Sequence, residues 1–201
     1  MSPGASSNAP RIRKLQQIAE QLHQGASFSI TRLTLVKSLC ADSAAAARFA
    51  LCLAERTQER MLQQPCPSHL TSQQWISFQQ LATTGVECMR RYLKEPTPEA
   101  LDALRSAHAA LEQSQNEHRR VEFNEVRIIE SREALVVEHA AACILRPQES
   151  QHWGYRVARQ YAERYNPRYG NGLIPESAPF VQDIADFWRA AWQEGVSRLR
   201  A

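Results

Sequence analysis

The sequence predicts an all-α protein, a compact helical bundle of about six to eight helices, and three observations carry that prediction. Outside the N-terminal tail, proline occurs only at 65, 67, 96, 98, 147, 167, 175 and 179, which leaves proline-free segments at 11–64, 68–95, 99–146, 148–166 and 180–201. Proline inside a helix costs roughly 3 kcal/mol, so this spacing suits helices joined by proline-marked connections. Within the segments, apolar residues recur at the helical period. Helix-capping residues stand where the periodic stretches begin.

The elements follow in order. Residues 1–9 read as a disordered tail, and 10–201 as one all-α domain with an aromatic-rich portion, 148–201, packing on it. Helices are expected at about 10–24, at 30–40, and from Asp42 as N-cap to about 64. The next starts at Thr71, whose pairing with Gln74 three places on is a capping box. Trp75, Phe78, Leu81, Ala82, Gly85, Cys88, Met89 and Tyr92 share one of its faces, and Gln79, Gln80, Thr83, Glu87, Arg90, Arg91 and Lys94 fill the other. Thr97, Pro98 and Glu99 combine an N-cap, a first-turn proline and an acid near the positive end of the helix dipole. That helix runs through Leu101, Leu104, Ala107 and Leu111. Unbroken to Arg146 it would be about 72 Å long, against about 43 Å for a compact chain of this size. Either it breaks near the polar run 113–118 or it projects as an arm, and a break or kink is the expectation. The stretch 121–129, VEFNEVRII, is rich in β-branched residues but has no flanking strand partner, and it is read as helical. The final segment is capped by Ser177, with Val181, Ile184, Ala185, Trp188, Trp192, Val196 and Leu199 on its buried side.

Composition bounds the class. Apolar residues make up 43% and charged ones 22%, as in ordinary globular chains. The net charge of +3 is too small to imply a nucleic-acid or membrane partner. Residues 1–70 carry eight basic and four acidic groups, 71–150 nine and twelve, and 151–201 seven and five. Only Lys14, Lys37 and Lys94 among the basic residues are lysine. Five cysteines, Cys40, Cys52, Cys66, Cys88 and Cys143, lack disulfide-framework spacing and read as buried thiols of a reducing compartment. The stretch MSPGASSNAP has no apolar core of a signal peptide, and Ala134 to Leu145 is too short to span a bilayer. A cytoplasmic location is the expectation.

Candidate chemistry is sparse. A di-iron carboxylate bundle needs two Glu-x-x-His pairs and two more glutamates facing inward. Glu20 with His23 and Glu149 with His152 have that spacing, yet Glu149 follows Pro147 at a helix start, where the dipole accounts for an acid. Cys66 and His69 have ligand types but no second pair. No nucleophile elbow, P-loop or dinucleotide fingerprint occurs. Glycines and asparagine at 170–172 suit a turn, and Glu138 with His139 suits a buried, hydrogen-bonded histidine beside an outward acid. A helix-turn-helix over 30–64 would need a polar recognition helix, whereas SAAAARFALCLA is mostly alanine and apolar groups. No catalytic residue, metal or cofactor is assigned.

The stretch YRVARQYAERYNPRYGNG is the remaining candidate. Trp153, Val157, Tyr161 and Tyr165 lie on one side of a helical wheel with Ala158 and Ala162 beside them. Arg156, Arg159, Gln160 and Glu163 lie opposite, and Arg159 is placed to pair with Glu163. The turn after it carries Arg168 and Tyr169. Residues 153–192 hold nine of the fifteen aromatics, and tyrosine, tryptophan and arginine dominate interface hot spots. The sequence therefore points to a non-catalytic protein-binding or regulatory module with Tyr155, Arg156, Arg159, Arg168 and Tyr169 as partner-binding residues. RNA or single-stranded DNA binding through 155–175 is the alternative, and a ferritin-like metalloenzyme the third reading. A protein partner is expected ahead of nucleic acid, no membrane partner is expected, and self-association stays open.

Overall fold

The computed structural model of the chain describes residues 28–29, 40–119, 131–165 and 173–174. The expected tail at 1–9, the helices at 10–24, 30–40 and 177–199, the stretch 121–129, and the residues Glu20, His23, Arg168 and Tyr169 lie outside them. Five α-helices stand among the described residues: α1 (Ser43–Gln63), α2 (Ser72–Lys94), α3 (Pro98–Arg119), α4 (Arg132–Leu145) and α5 (Ser150–Tyr165). A 3-10 turn, Pro147–Glu149, joins α4 to α5. A two-residue antiparallel pair sets β1 (Phe28–Ser29) against β2 (Leu173–Ile174). The all-α class is thus borne out.

Local chemistry accounts for the helix starts. Asp42 caps α1, its Oδ1 accepting from the amides of Ala44 and Ala45 at 2.9 and 3.0 Å. Thr71 and Gln74 form the complete capping box: the Gln74 amide donates to Thr71 Oγ1, and the Thr71 amide donates to Gln74 Oε1. Thr97 Oγ1 accepts from the Ala100 amide at 3.2 Å, and Pro98 is the first residue of α3. Ser131, a cap not foreseen, accepts from Ala134 at 3.2 Å. Each satisfies a backbone donor that the first turn leaves unpaired.

The segment 99–146 holds two helices, as a break near 113–118 implied, with the first ending just beyond that run. α3 continues through that run to Arg119. Glutamine and glutamate are good helix formers, so a polar run is not a breaking one. Gln115 also extends the inward stripe of Leu104, His108 and Leu111, and it is buried.

α4 lies at the centre and touches each of the other four helices, while α5, α1, α2 and α3 follow one another around it. Its sequence explains the position. Leu135, Val136, Val137, Ala140, Ala141, Ala142, Cys143 and Ile144 are all buried, and a helix apolar on every side belongs inside. Its alanines let neighbouring backbones approach. The same demand falls on Gly85 of α2, where an added Cβ would lie 3.0 Å from Val137 Cγ1 and 3.1 Å from Leu111 Cδ1. Phe49, Leu53, Met61, Phe78 and Met89 complete the same core, each contributing about 1.5–3 kcal/mol on full burial.

The predicted face of α2 is the observed one: Trp75, Phe78, Ala82, Gly85 and Met89 are buried, with Leu81, Cys88 and Tyr92 half-buried. Of the five thiols, Cys40 and Cys143 are buried and Cys52, Cys66 and Cys88 half-buried, all free. No described helix is long and apolar enough to cross a membrane.

Candidate interaction surface around Trp153

The end of α4 and the first two turns of α5 build one surface cluster. Arg146 ends α4 as its C-cap, the 3-10 turn opens with Pro147, and Ser150 begins α5. Ser150 anchors this corner, donating from Oγ to the carbonyl of Cys40 at 2.8 Å. The buried face of α5 is then Gly154, Val157, Ala158 and Tyr161. Trp153 lies at the boundary of that face, half-buried, where its indole meets residues from both helices.

The ring is held on several sides. Its Nε1 donates to Glu149 Oε2 at 2.8 Å, one helical turn earlier. The guanidinium of Arg146 sits 4.9 Å from the ring centroid and that of Arg156 5.5 Å. The His139 ring packs at 5.5 Å with a 51° tilt, and the His152 ring meets it edge-on at 5.2 Å. His139 is buried, as expected, and the adjoining Glu138 is half-buried. Trp153 is therefore a platform between the core and the surface, with two guanidiniums within cation–π distance of its ring.

Of the predicted binding residues, Arg156 and Arg159 are exposed on α5, and Tyr155 is half-buried and packed against the core. Arg168 and Tyr169 lie outside the described residues. Tyr161 is fully buried, and its hydroxyl accepts a hydrogen bond from Arg60, whose guanidinium lies 5.4 Å from the ring centroid. Trp153 and Arg146 were missed as surface residues. Local spacing could have signalled Glu149 and Arg156 around Trp153, at four residues before and three after. Arg146 and His139 reach it only through the packing of α4 on α5.

Burial shifts Cys40, Cys88, His108 and Cys143 toward their neutral forms. Burial, reinforced by the neighbouring Cys143, pushes the Cys40 thiol far up, and burial raises Cys143 to about 12. Cys88 is raised by burial and by Glu87 against the opposing Arg91. Neutral thiols are poor nucleophiles and poor metal ligands. Burial lowers the His108 imidazole, Glu112 opposing and Arg146 assisting. Among the described residues, no three His, Cys, Asp or Glu side chains come together as a group able to hold a metal ion. The Cys66 thiol faces the carbonyls of Pro67 and Leu70.

Two guanidiniums and two imidazoles around one indole, with Arg156 exposed and Arg146 half-buried, form a surface suited to anionic and aromatic contacts. No protein-family model, curated protein or solved structure matches this chain.

Proposed function

We propose that the chain is a non-catalytic protein-binding or regulatory helical module of an intracellular complex, working through the outer face of α5. The observation that supports this is the grouping of half-buried Trp153 and Tyr155 with exposed Arg156 and Arg159 on one helix. Aromatic and arginine side chains anchored at one edge carry most interface energy, because they bury large area with little rotamer loss. Arg168 and Tyr169, which follow α5 in the sequence, are further binding residues of this reading.

Affinity purification of the tagged full chain from native-host lysate, with and without nuclease, tests the reading. A partner recovered at fixed stoichiometry, retained after nuclease and lost from the Tyr155→Ala/Arg156→Ala variant, is the expected result. Recovery that vanishes with nuclease would overturn it in favour of RNA or single-stranded DNA. A partner retained equally by the double variant would remove α5 as the working surface.

A further inference from the structure

We infer that the Trp153 platform is a carboxylate receptor: Arg146 and Arg156, both held close to one indole ring, grip an acidic peptide segment of a partner protein. The inference rests on the interaction-module reading and adds the chemistry of the partner.

The gathering of two cations on one ring carries it, their guanidinium carbons lying 4.9 and 5.5 Å from its centroid. A guanidinium lying over an aromatic ring uses its face for the contact, while its N–H donors point outward in the plane. Those edges match a carboxylate in bidentate fashion. Elsewhere arginines already meet acids: Arg90 reaches Glu55 at 2.6 Å, and Arg105 reaches Asp102 at 3.2 Å. Arg146 and Arg156 meet no carboxylate among the described residues. The acid nearest in sequence, Glu149, has its Oε2 engaged by the indole N–H. Two guanidiniums near one ring repel each other, and acidic groups bound to them offset that repulsion.

The platform is also preorganised. The Glu149 hydrogen bond and the His139 ring hold the indole, and the indole holds the cations. Less side-chain freedom is lost on binding than for arginines free in solvent. Exposed His152 and Gln151 flank the cations as further polar side chains. An unpaired base is the poorer occupant, because it must displace a guanidinium to stack on this ring. Charge complementarity thus selects an acidic peptide.

The test uses the full chain and two fluorescent probes of equal length, an octaglutamate peptide and an octauridylate, read by anisotropy. Octaglutamate is expected to bind, and Arg156→Gln to weaken it roughly tenfold, as for loss of a charged hydrogen-bonded contact. Arg146→Lys, which keeps the charge but loses the planar fork, should weaken it comparably. Arg105→Gln, on the outer side of α3, should leave it unchanged, and circular dichroism should match for all variants. No octaglutamate binding, equal weakening by Arg105→Gln, or tighter octauridylate binding through Arg156 would each overturn the inference. If the lysate partner is lost from the α5 variant while octaglutamate fails to bind, the acidic ligand is wrong and the module reading stands. If the lysate experiment fails as well, both are wrong.

Discussion

Replacing Gly154 by alanine tests how α5 is seated against the start of α1. A Cβ at this position would lie 2.5 Å from Cys40 Sγ and 3.0 Å from Cys40 Cβ. The sulfur cannot retreat easily, because Cys40 is buried and its carbonyl is held by Ser150. Overpacking of this kind costs about 1–3 kcal/mol. Against it stands the gain of about 1 kcal/mol from alanine in place of glycine within a helix. The net expectation is destabilisation by up to about 2 kcal/mol. In a Cys40→Ala background the sulfur is gone and only the tight Cβ contact remains. There Gly154→Ala should cost nothing or stabilise slightly, giving a coupling of about 1–2 kcal/mol between the two sites. Urea unfolding of the four proteins, followed by circular dichroism, measures the cycle. Effects that add within about 0.5 kcal/mol, or a Gly154→Ala variant more stable than the parent, would refute the close approach of α5 to Cys40.

Three further outcomes follow from the same packing. Thr71→Ala removes one half of the α2 capping box and should lower stability by about 1 kcal/mol, readable as a shift of the urea midpoint at unchanged slope. Tyr161→Phe removes the acceptor of the Arg60 hydrogen bond while keeping the ring, and should cost about 1 kcal/mol; a neutral result would show that Arg60 contributes only by packing. His108, with its imidazole depressed by burial below the ordinary 6.5, takes up its proton more readily in the unfolded chain. Its share of stability is therefore complete above that value and declines as pH falls toward the folded-state value. The urea midpoint should drop between pH 7 and pH 5 more steeply for the parent than for His108→Gln, and parallel curves would contradict the assignment.

Elements governed by contacts within a few residues were legible. The α1, α2 and α3 starts are set by side chains two or three residues from the amides they cap, and those pairs can be read directly. The α2 face follows from periodicity alone, as does the burial of Val157, Ala158 and Tyr161 on α5. The polar run 113–118 shows the limit of that reading. Nothing local breaks the helix there, and Gln115 is drawn inward because its amide donates to the carbonyl of Ser131 at 3.3 Å. That partner lies at the start of another helix, so the expectation of a break had no means of anticipating it.

The candidate site divides in the same way. Glu149, His152, Trp153 and Arg156 are neighbours on one stretch of chain, and helical spacing by itself brings them together. Arg146 and His139 join them because α4, apolar on nearly every side, is pulled to the centre of the bundle and lays its C-terminal half along α5. The sequence by itself determined the all-α class, the starts of α1, α2 and α3 and the inward faces of α2 and α5, because those depend on hydrogen bonds and periodicities spanning one or two turns. Only the tertiary structure decided that Trp153 lies half-buried at the rim of the core beside two guanidiniums, rather than fully inside with Tyr161. That choice depends on which helix fills the space beside it, and packing between distant segments sets that space.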